Sequence, residues 1–162
     1  MTFNRSSTIL LDFQYCLGNK KQLFPKELAY MQPDAFYIRH IHFAPPYPEK
    51  ELDKEVIKQN LYNKKNINQL DWNYGETPYI YIKELMQQFV TNEYTVLVKG
   101  PEKKKFLEQY LDNIELIDMP GSFEKYTQFK HRCPIHFPTF SRCAVNHVAQ
   151  MFVHMEKTNQ FE

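Results

Sequence analysis

The stretch STILLDFQYC, residues 7–16, is the feature that most constrains the fold of this chain. It is a continuous apolar run rich in Ile and Leu, which is typical of a strand that is buried on both faces. The residues GNKKQ follow it directly and have the composition of a turn. We therefore expect a strand here, in a sheet that is covered on both sides.

Two further strands are predicted after this turn. LFPKELAYM, residues 23–31, and AFYIRHIHFA, residues 35–44, have strand character, and the second alternates around Tyr37, Arg39 and Ile41. The prolines of PPYP then end the ladder, because proline lacks the backbone donor. The first part of the chain thus predicts three consecutive strands.

The rest of the chain alternates between helices and strands. A helix from residue 49 would turn Leu52, Val56 and Leu61 to one face, and Thr77 would cap the next helix with Pro78 at its first position. The later elements follow in the order strand 94–100, helix 101–113, strand 114–119 and helix 141–158.

This order predicts the fold class. Three sequential strands favour an antiparallel meander, and strands that return through helices favour parallel pairing. The predicted fold is α/β, a ribonuclease H-like mixed sheet with a three-strand meander and two further strands, flanked by helices. At 162 residues, we expect one domain spanning residues 1–162.

Charge and cysteine content restrict the classes of function. A formal net charge of +1 argues against a general electrostatic grip on nucleic acid, so nucleic-acid binding would need a local patch. Apolar runs fall short of a membrane span, and a secretory signal pattern is lacking. Three cysteines, an odd number, argue against a disulfide framework. We expect an intracellular protein, cytoplasmic and/or nuclear, with no membrane partner.

The stretch CPIHFPTFSRCAVNH, residues 133–147, predicts a metal site. Cys133 and His136 stand three apart, and Cys143 lies at the start of the last helix, whose N-terminus favours a thiolate. Three such donors suit tetrahedral zinc, and a structural site needs a fourth. That ligand is either His147, one turn after Cys143, or a distant carboxylate such as Glu27. The alternative is that these residues are ordinary buried side chains.

The segment KELAYMQPDAFYIRHIHFAPPYP, residues 26–48, resembles the Maelstrom domain, in which a Glu-bearing strand precedes a strand ending in a histidine and a proline-rich turn. That family has a ribonuclease H-like fold related to the DEDDh 3'-5' exonucleases and carries a Glu-Cys-His-Cys zinc site. The exonuclease domain of arenavirus nucleoproteins is similar in having such a site. The resemblance implies one structural Zn²⁺ on Glu27, Cys133, His136 and Cys143, with His147 as the runner-up ligand.

The exonuclease resemblance also implies where nuclease acids would stand. The first strand has Asp12 and Gln14 where Asp-x-Glu is expected, and Lys103 occupies the second aspartate position. In the third motif, RCAVNH puts Arg142 and His147 in the expected places. Asp12 alone remains of four acids, so it is the weak catalytic candidate and the catalytic residues stay unknown. We expect no metal-dependent exonuclease activity.

Two features leave functions open. His40 and His42 alternate on a strand and could act as acid and base in a weak, metal-independent ribonuclease. For RNA binding, KGPEKKK and DWNYG offer charges and an aromatic face, which single-strand binders use. The candidate RNA-binding residues are Lys99, Lys103, Lys104, Lys105 and Trp72.

The predicted function follows from the resemblance. It implies a zinc-stabilised domain with degenerate exonuclease acids that binds single-stranded RNA or protein partners in RNA silencing of the piRNA type. One alternative is an active RNA or DNA nuclease of DEDDh descent that uses Asp12. Another is a virus- or transposon-derived protein-interaction module without nucleic-acid binding.

Overall fold

The computed structural model describes residues 1–129, 133, 136 and 142–162. In these residues five strands form one sheet, namely β1 Thr8–Leu17, β2 Leu23–Met31, β3 Arg39–His42, β4 Thr95–Val98 and β5 Ile114–Leu116. The α-helices of the described residues are α1 Lys54–Asn66, α2 Tyr81–Thr91, α3 Pro101–Leu107 and α4 Ala144–Lys157.

The sheet is mixed and has the strand order β3-β2-β1-β4-β5. β1 pairs antiparallel with β2, and β2 pairs antiparallel with β3. β4 runs parallel to β1, and β5 runs parallel to β4. The predicted α/β class, with a three-strand meander followed by two strands that return through helices, is confirmed.

The central strand β1 is buried on both faces, as its apolar run predicts. On one face, Leu11 and Phe13 belong to an apolar cluster that includes residues of α2. On the other face, Leu10 packs with Ala29 of β2 and Leu97 of β4 beneath α4. The sheet is therefore the middle layer between helices, and the α4 face also carries the polar site described below.

Helix α1 differs from its prediction. It begins at Lys54, because Glu49–Glu51 form a 3-10 turn that changes the phase of the helical face. Leu61 is 57% exposed, so its predicted position on the buried face is wrong. The buried side chain of α1 is Asn60, which exchanges two hydrogen bonds of 2.8 Å with the backbone of Leu17 at the end of β1.

Other predicted boundaries also move. Helix α2 begins at Tyr81, and Thr77 is not its cap, since Thr77 forms a bridge to Phe43 and its N–H donates to the carbonyl of His42. The third strand is shorter than predicted. The predicted start of the last helix at residue 141 lies outside the described residues, and α4 begins at Ala144. In the part of the chain described, no helix is both long and apolar enough to cross a membrane.

The first prediction concerns the two hydrogen bonds between Asn60 and Leu17. Asn60→Ala removes both partners of the Leu17 backbone groups, and we expect the free energy of unfolding to fall by about 1–2 kcal/mol in urea denaturation. Gln59→Ala, at the exposed neighbouring position, is the control and should change the stability by less than about 0.5 kcal/mol. Equal losses in the two variants would contradict this role for Asn60.

Candidate metal centre and adjoining Asp12 site

Glu27 is the buried centre of the candidate metal site. It lies on β2, in register with Gln14 on β1 and with His42 on β3, and it is 0% exposed. The backbone N–H of Ala144, at the start of α4, donates to Glu27 Oε1 at 2.9 Å. The helix N-terminus thus covers the carboxylate and stabilises its charge.

Two cysteines and a histidine surround the other oxygen, Glu27 Oε2. The Sγ atoms of Cys133 and Cys143 lie 3.6 Å from it, and His136 Nδ1 lies 3.3 Å from it. Cys133 Sγ and His136 Nδ1 are also 3.3 Å apart. The four residues are at most 1% exposed, and their ligand atoms all lie within 4.8 Å of one another. We call Glu27, Cys133, His136 and Cys143 the metal cluster.

The spacing of the metal cluster can be compared with a tetrahedral zinc site. With ligand distances of about 2.0–2.3 Å, the edges of the tetrahedron measure about 3.3–3.8 Å. The observed separations of 3.3–3.6 Å are close to these edges. The metal cluster could therefore hold one metal ion, and its sulfur, nitrogen and oxygen donors are compatible with zinc.

Groups outside the metal cluster orient its ligands. His136 Nε2 donates to the carbonyl of Asn68 at 2.5 Å, which leaves Nδ1 directed to the cluster. His40 Nε2 lies 2.8 Å from Glu27 Oε2 and holds the carboxylate from the side of β3. Such outer contacts are typical of metal sites, because they fix the tautomer of the histidine and the direction of the carboxylate.

The electrostatics of the metal cluster favour charged donors. Burial by itself raises the pKa of Glu27, but hydrogen bonds with His136 and His40 outweigh it and hold that pKa well below its usual value. The hydrogen bond between Cys133 and Cys143 lowers the pKa of Cys133, with a further contribution from His136, and raises the pKa of Cys143, so one of the two sulfur atoms is held as a thiolate. A carboxylate and a thiolate are the forms that bind metal, so the metal cluster is prepared for a cation.

His147 belongs to a different site. Its Nδ1 lies 2.8 Å from Asp12 Oδ2, and its ring stacks on Phe123 with the centroids 3.8 Å apart. One turn beyond Cys143, the helix directs this side chain to β1 instead of to Glu27. The structure thus corrects the prediction of His147 as the runner-up metal ligand.

Asp12 is a second buried acid on the same face of the sheet. Lys103 Nζ donates to Asp12 Oδ1 at 2.6 Å, and Gln14 Nε2 donates to Oδ2 at 3.3 Å. Burial raises the pKa of this carboxyl, but the charges of Lys103 and His147 outweigh it, and the net pKa is below the usual value. Lys103 and His147, for which the exonuclease resemblance implied acid positions, both contact Asp12. We call Asp12, Gln14, Lys103 and His147 the Asp12 network.

A pocket of about 280 Å³ opens over the Asp12 network. Gly100, at φ +104°, makes the turn from β4 to α3 and allows Lys99 and Lys103 to line this pocket together with Arg142. Lys99 Nζ donates to the carbonyl of Met119 at 2.6 Å. We call this the cationic pocket, and its lining is Lys99, Gly100, Lys103, Ser122, Phe123, Glu124, Arg142 and His147.

The remaining predicted RNA-binding residues lie elsewhere. Trp72 is 2% exposed, and its Nε1 donates to the carbonyl of Tyr47 at 3.0 Å, so it cannot stack on a base and its prediction is wrong. Trp72 lies two residues after Leu70, which is also buried. This alternation indicates inward packing, but the segment has the composition of a turn, and the prediction followed the composition. Lys104 and Lys105 are on α3 outside the pocket lining, and Lys104 lies 3.8 Å from Glu108.

Comparison with known proteins does not identify the family of this chain. No protein-family model, curated protein or solved structure matches this chain. The chemistry of the metal cluster and of the Asp12 network is therefore argued from their own geometry. Sequence reasoning missed Phe123 as a pocket residue, because a lone aromatic residue between polar neighbours carries no periodic signal.

The metal cluster makes the second prediction. Cys133→Ser and Cys143→Ser each remove a thiolate, and we expect their zinc content, by elemental mass spectrometry, to fall to near zero. We also expect the midpoint of thermal unfolding to fall by about 10 °C or more, because metal-binding energy is folding energy. Cys16→Ser is the control, because Cys16 is buried in a separate apolar cluster with Phe24 and Trp72. Equal zinc in Cys143→Ser and Cys16→Ser would contradict the assignment.

The Asp12 network makes the third prediction, a dependence on pH. Because the folded-state pKa of Asp12 is lowered, its charge stabilises the fold above its unfolded pKa of about 4, and this stabilisation is lost as pH falls through the folded pKa. We expect Asp12→Asn to lower the free energy of unfolding by about 3 kcal/mol at pH 7 and by progressively less below pH 4.

Chemical denaturation from pH 3 to pH 7 measures this difference. The exposed Asp112→Asn is the control and should show no such dependence. A loss in Asp12→Asn that is the same at both ends of the range would show that the charge of Asp12 does not matter.

Proposed function

We propose that this chain is a Maelstrom-like, ribonuclease H-like domain that is stabilised by one structural zinc ion and that binds single-stranded RNA without metal-dependent cleavage. The strand order β3-β2-β1-β4-β5 supports the ribonuclease H-like part of this proposal, since a three-strand meander extended by two parallel strands is the arrangement expected of that fold. The grouping of Glu27, Cys133, His136 and Cys143 supports the zinc.

The observation that carries the proposal is the contact between Lys103 and Asp12. Metal-dependent nucleases need several carboxylates to hold two ions. Here both oxygens of Asp12 are engaged, one by the Lys103 ammonium at 2.6 Å and the other by His147 at 2.8 Å. A divalent cation at Asp12 would have to compete with a positive charge that the chain itself supplies. Binding without metal-dependent cleavage is the function that this arrangement favours.

The cationic pocket supplies the RNA-binding surface of this proposal. Lys99 and Arg142 bring positive charge to one cavity, whereas Lys103 is paired with Asp12 and Arg142 lies 3.7 Å from Glu124. The partly exposed ring of Phe123 lies beside them. Single-strand binders combine cations for the phosphates with aromatic rings for the bases. Because the formal net charge of the chain is only +1, a local patch of this kind is what RNA binding requires.

The zinc would have a structural task. It would tie a strand, through Glu27, to the residues Cys133 and His136 and to the start of α4 at Cys143. Zinc-bound cysteines persist as thiolates in a reducing environment, so the proposal includes an intracellular location, cytoplasmic or nuclear. Protein partners in RNA silencing are proposed on the family resemblance alone.

RNA binding is the fourth prediction. We expect a fluorescent single-stranded RNA of about 20 nucleotides to bind in magnesium-free buffer and to keep its length when Mg²⁺ or Mn²⁺ is added. Lys99→Ala and Arg142→Ala should each weaken binding by about fivefold or more. Each should also reduce the slope of log K against log salt concentration by the amount expected for the loss of about one phosphate contact. Lys58→Ala, an exposed lysine on α1, is the matched control and should bind as the parent does.

The alternatives give different results in the same assay. Metal-dependent shortening of the RNA that is lost in Asp12→Ala would favour an active nuclease. Absence of any salt-dependent RNA binding by the folded, zinc-loaded protein would favour a protein-interaction module. Either result would overturn the proposal of RNA binding without metal-dependent cleavage and would leave the zinc assignment untouched.

A further inference from the structure

Two histidines lie against the metal cluster without belonging to its four ligands. His40 and His42 are two residues apart on the edge strand β3, so their side chains project from the same face of the sheet. Their ring centroids are 4.3 Å apart, and the side chains are 18% and 12% exposed. His42 is the register partner of Glu27 on β2. The cluster thus continues toward the edge of the sheet.

The distances define a second group of metal-binding donors. His40 Nε2 and His42 Nε2 lie 2.8 Å and 3.7 Å from Glu27 Oε2. The hydrogen bond between His40 Nε2 and Glu27 would be exchanged for coordination when an ion binds. Together with Cys133, these three residues offer ligand atoms that all lie within 4.8 Å of one another. Glu27 and Cys133 are therefore members of both groups, while His136 and Cys143 complete one and the two β3 histidines complete the other.

Within the described part of the chain, His42 Nε2 lacks the partner that a buried polar atom normally has. This atom is buried and has no hydrogen-bond partner among the residues that the structure describes. Its neighbour Tyr74 meets the His42 ring edge-on, with the centroids 5.4 Å apart. Leaving such a nitrogen unsatisfied is unfavourable, whereas coordination to a cation would use its lone pair.

We propose that His40, His42, Glu27 and Cys133 bind a second divalent transition-metal ion, with the Glu27 carboxylate and the Cys133 thiolate shared between the two ions. Imidazole and thiolate donors select Zn²⁺ or Co²⁺ over Mg²⁺ or Ca²⁺. The proposal rests on the structural zinc proposed above. Because His40 and His42 keep some exposure, the second ion exchanges with solvent more readily than the first.

Counting the bound ions tests this proposal, and it is the fifth prediction. The protein is stripped of metal, reloaded with Zn²⁺ in the presence of a chelator of moderate strength, and weighed by native mass spectrometry. We expect two ions in the parent, one in His42→Gln and one in the double variant His40→Gln, His42→Gln. His154→Gln is the control, because His154 donates to the carbonyl of Asp118 instead, and it should keep two.

Cobalt gives an independent readout on the same variants. The first equivalent of Co²⁺ should produce thiolate-to-cobalt charge-transfer absorption, and a second equivalent should change that band because Cys133 is shared. In His42→Gln we expect the titration to end after one equivalent. This variant is the informative one for folding, since His42 Nε2 forms no hydrogen bond to a described residue within bonding distance and lies 3.7 Å from Glu27 Oε2.

The outcomes separate the two assignments. One ion in the parent at saturation overturns the second site and leaves the structural zinc in place. Two ions in His42→Gln as well as in the parent also overturn it, because the count would then not depend on this side chain. Uptake of no ion by the folded parent overturns both metal assignments.

Discussion

The charge of Glu27 is held where solvent cannot reach it, and the surrounding elements are arranged to stabilise it. A carboxylate removed from water costs several kcal/mol unless hydrogen bonds and opposite charges compensate. Here the compensation comes from the Ala144 N–H at the start of α4, from His136 and from His40. A metal ion at Oε2 would add to it and would tie distant parts of the chain, so its binding energy would contribute to folding.

The two buried acids of the α4 face are satisfied in different ways. Asp12 is neutralised by a cation of the chain, the ammonium of Lys103, and its site is closed to metal without rearrangement. Glu27 meets thiols and imidazoles, which are donors that could hold a metal ion between them. Gln14 lies between the acids, in register with Glu27 and bonded to Asp12. One sheet face thus carries a candidate metal centre beside a metal-free carboxylate.

Local patterns predicted much of this structure. The strand β1 and the limits of β2 were predicted well, because a strand that is buried on both faces has apolar residues at consecutive positions. The grouping of Cys133, His136 and Cys143 was also predicted, since their separation along the chain is short. Predictions failed for Leu61 and Trp72, where a shift in helical phase and the packing of a turn against the core decided exposure.

The sequence by itself determined the order of the elements, the alternation of sheet and helix, and the presence of soft metal-binding donors near the last helix. The tertiary structure alone decided which acid meets which partner. Glu27 and Cys143 are 116 residues apart, and Asp12 and Lys103 are 91 apart, yet each pair is in contact. Such pairs form because strand register and the placement of α4 over the sheet bring them together, and neither is encoded in any local pattern.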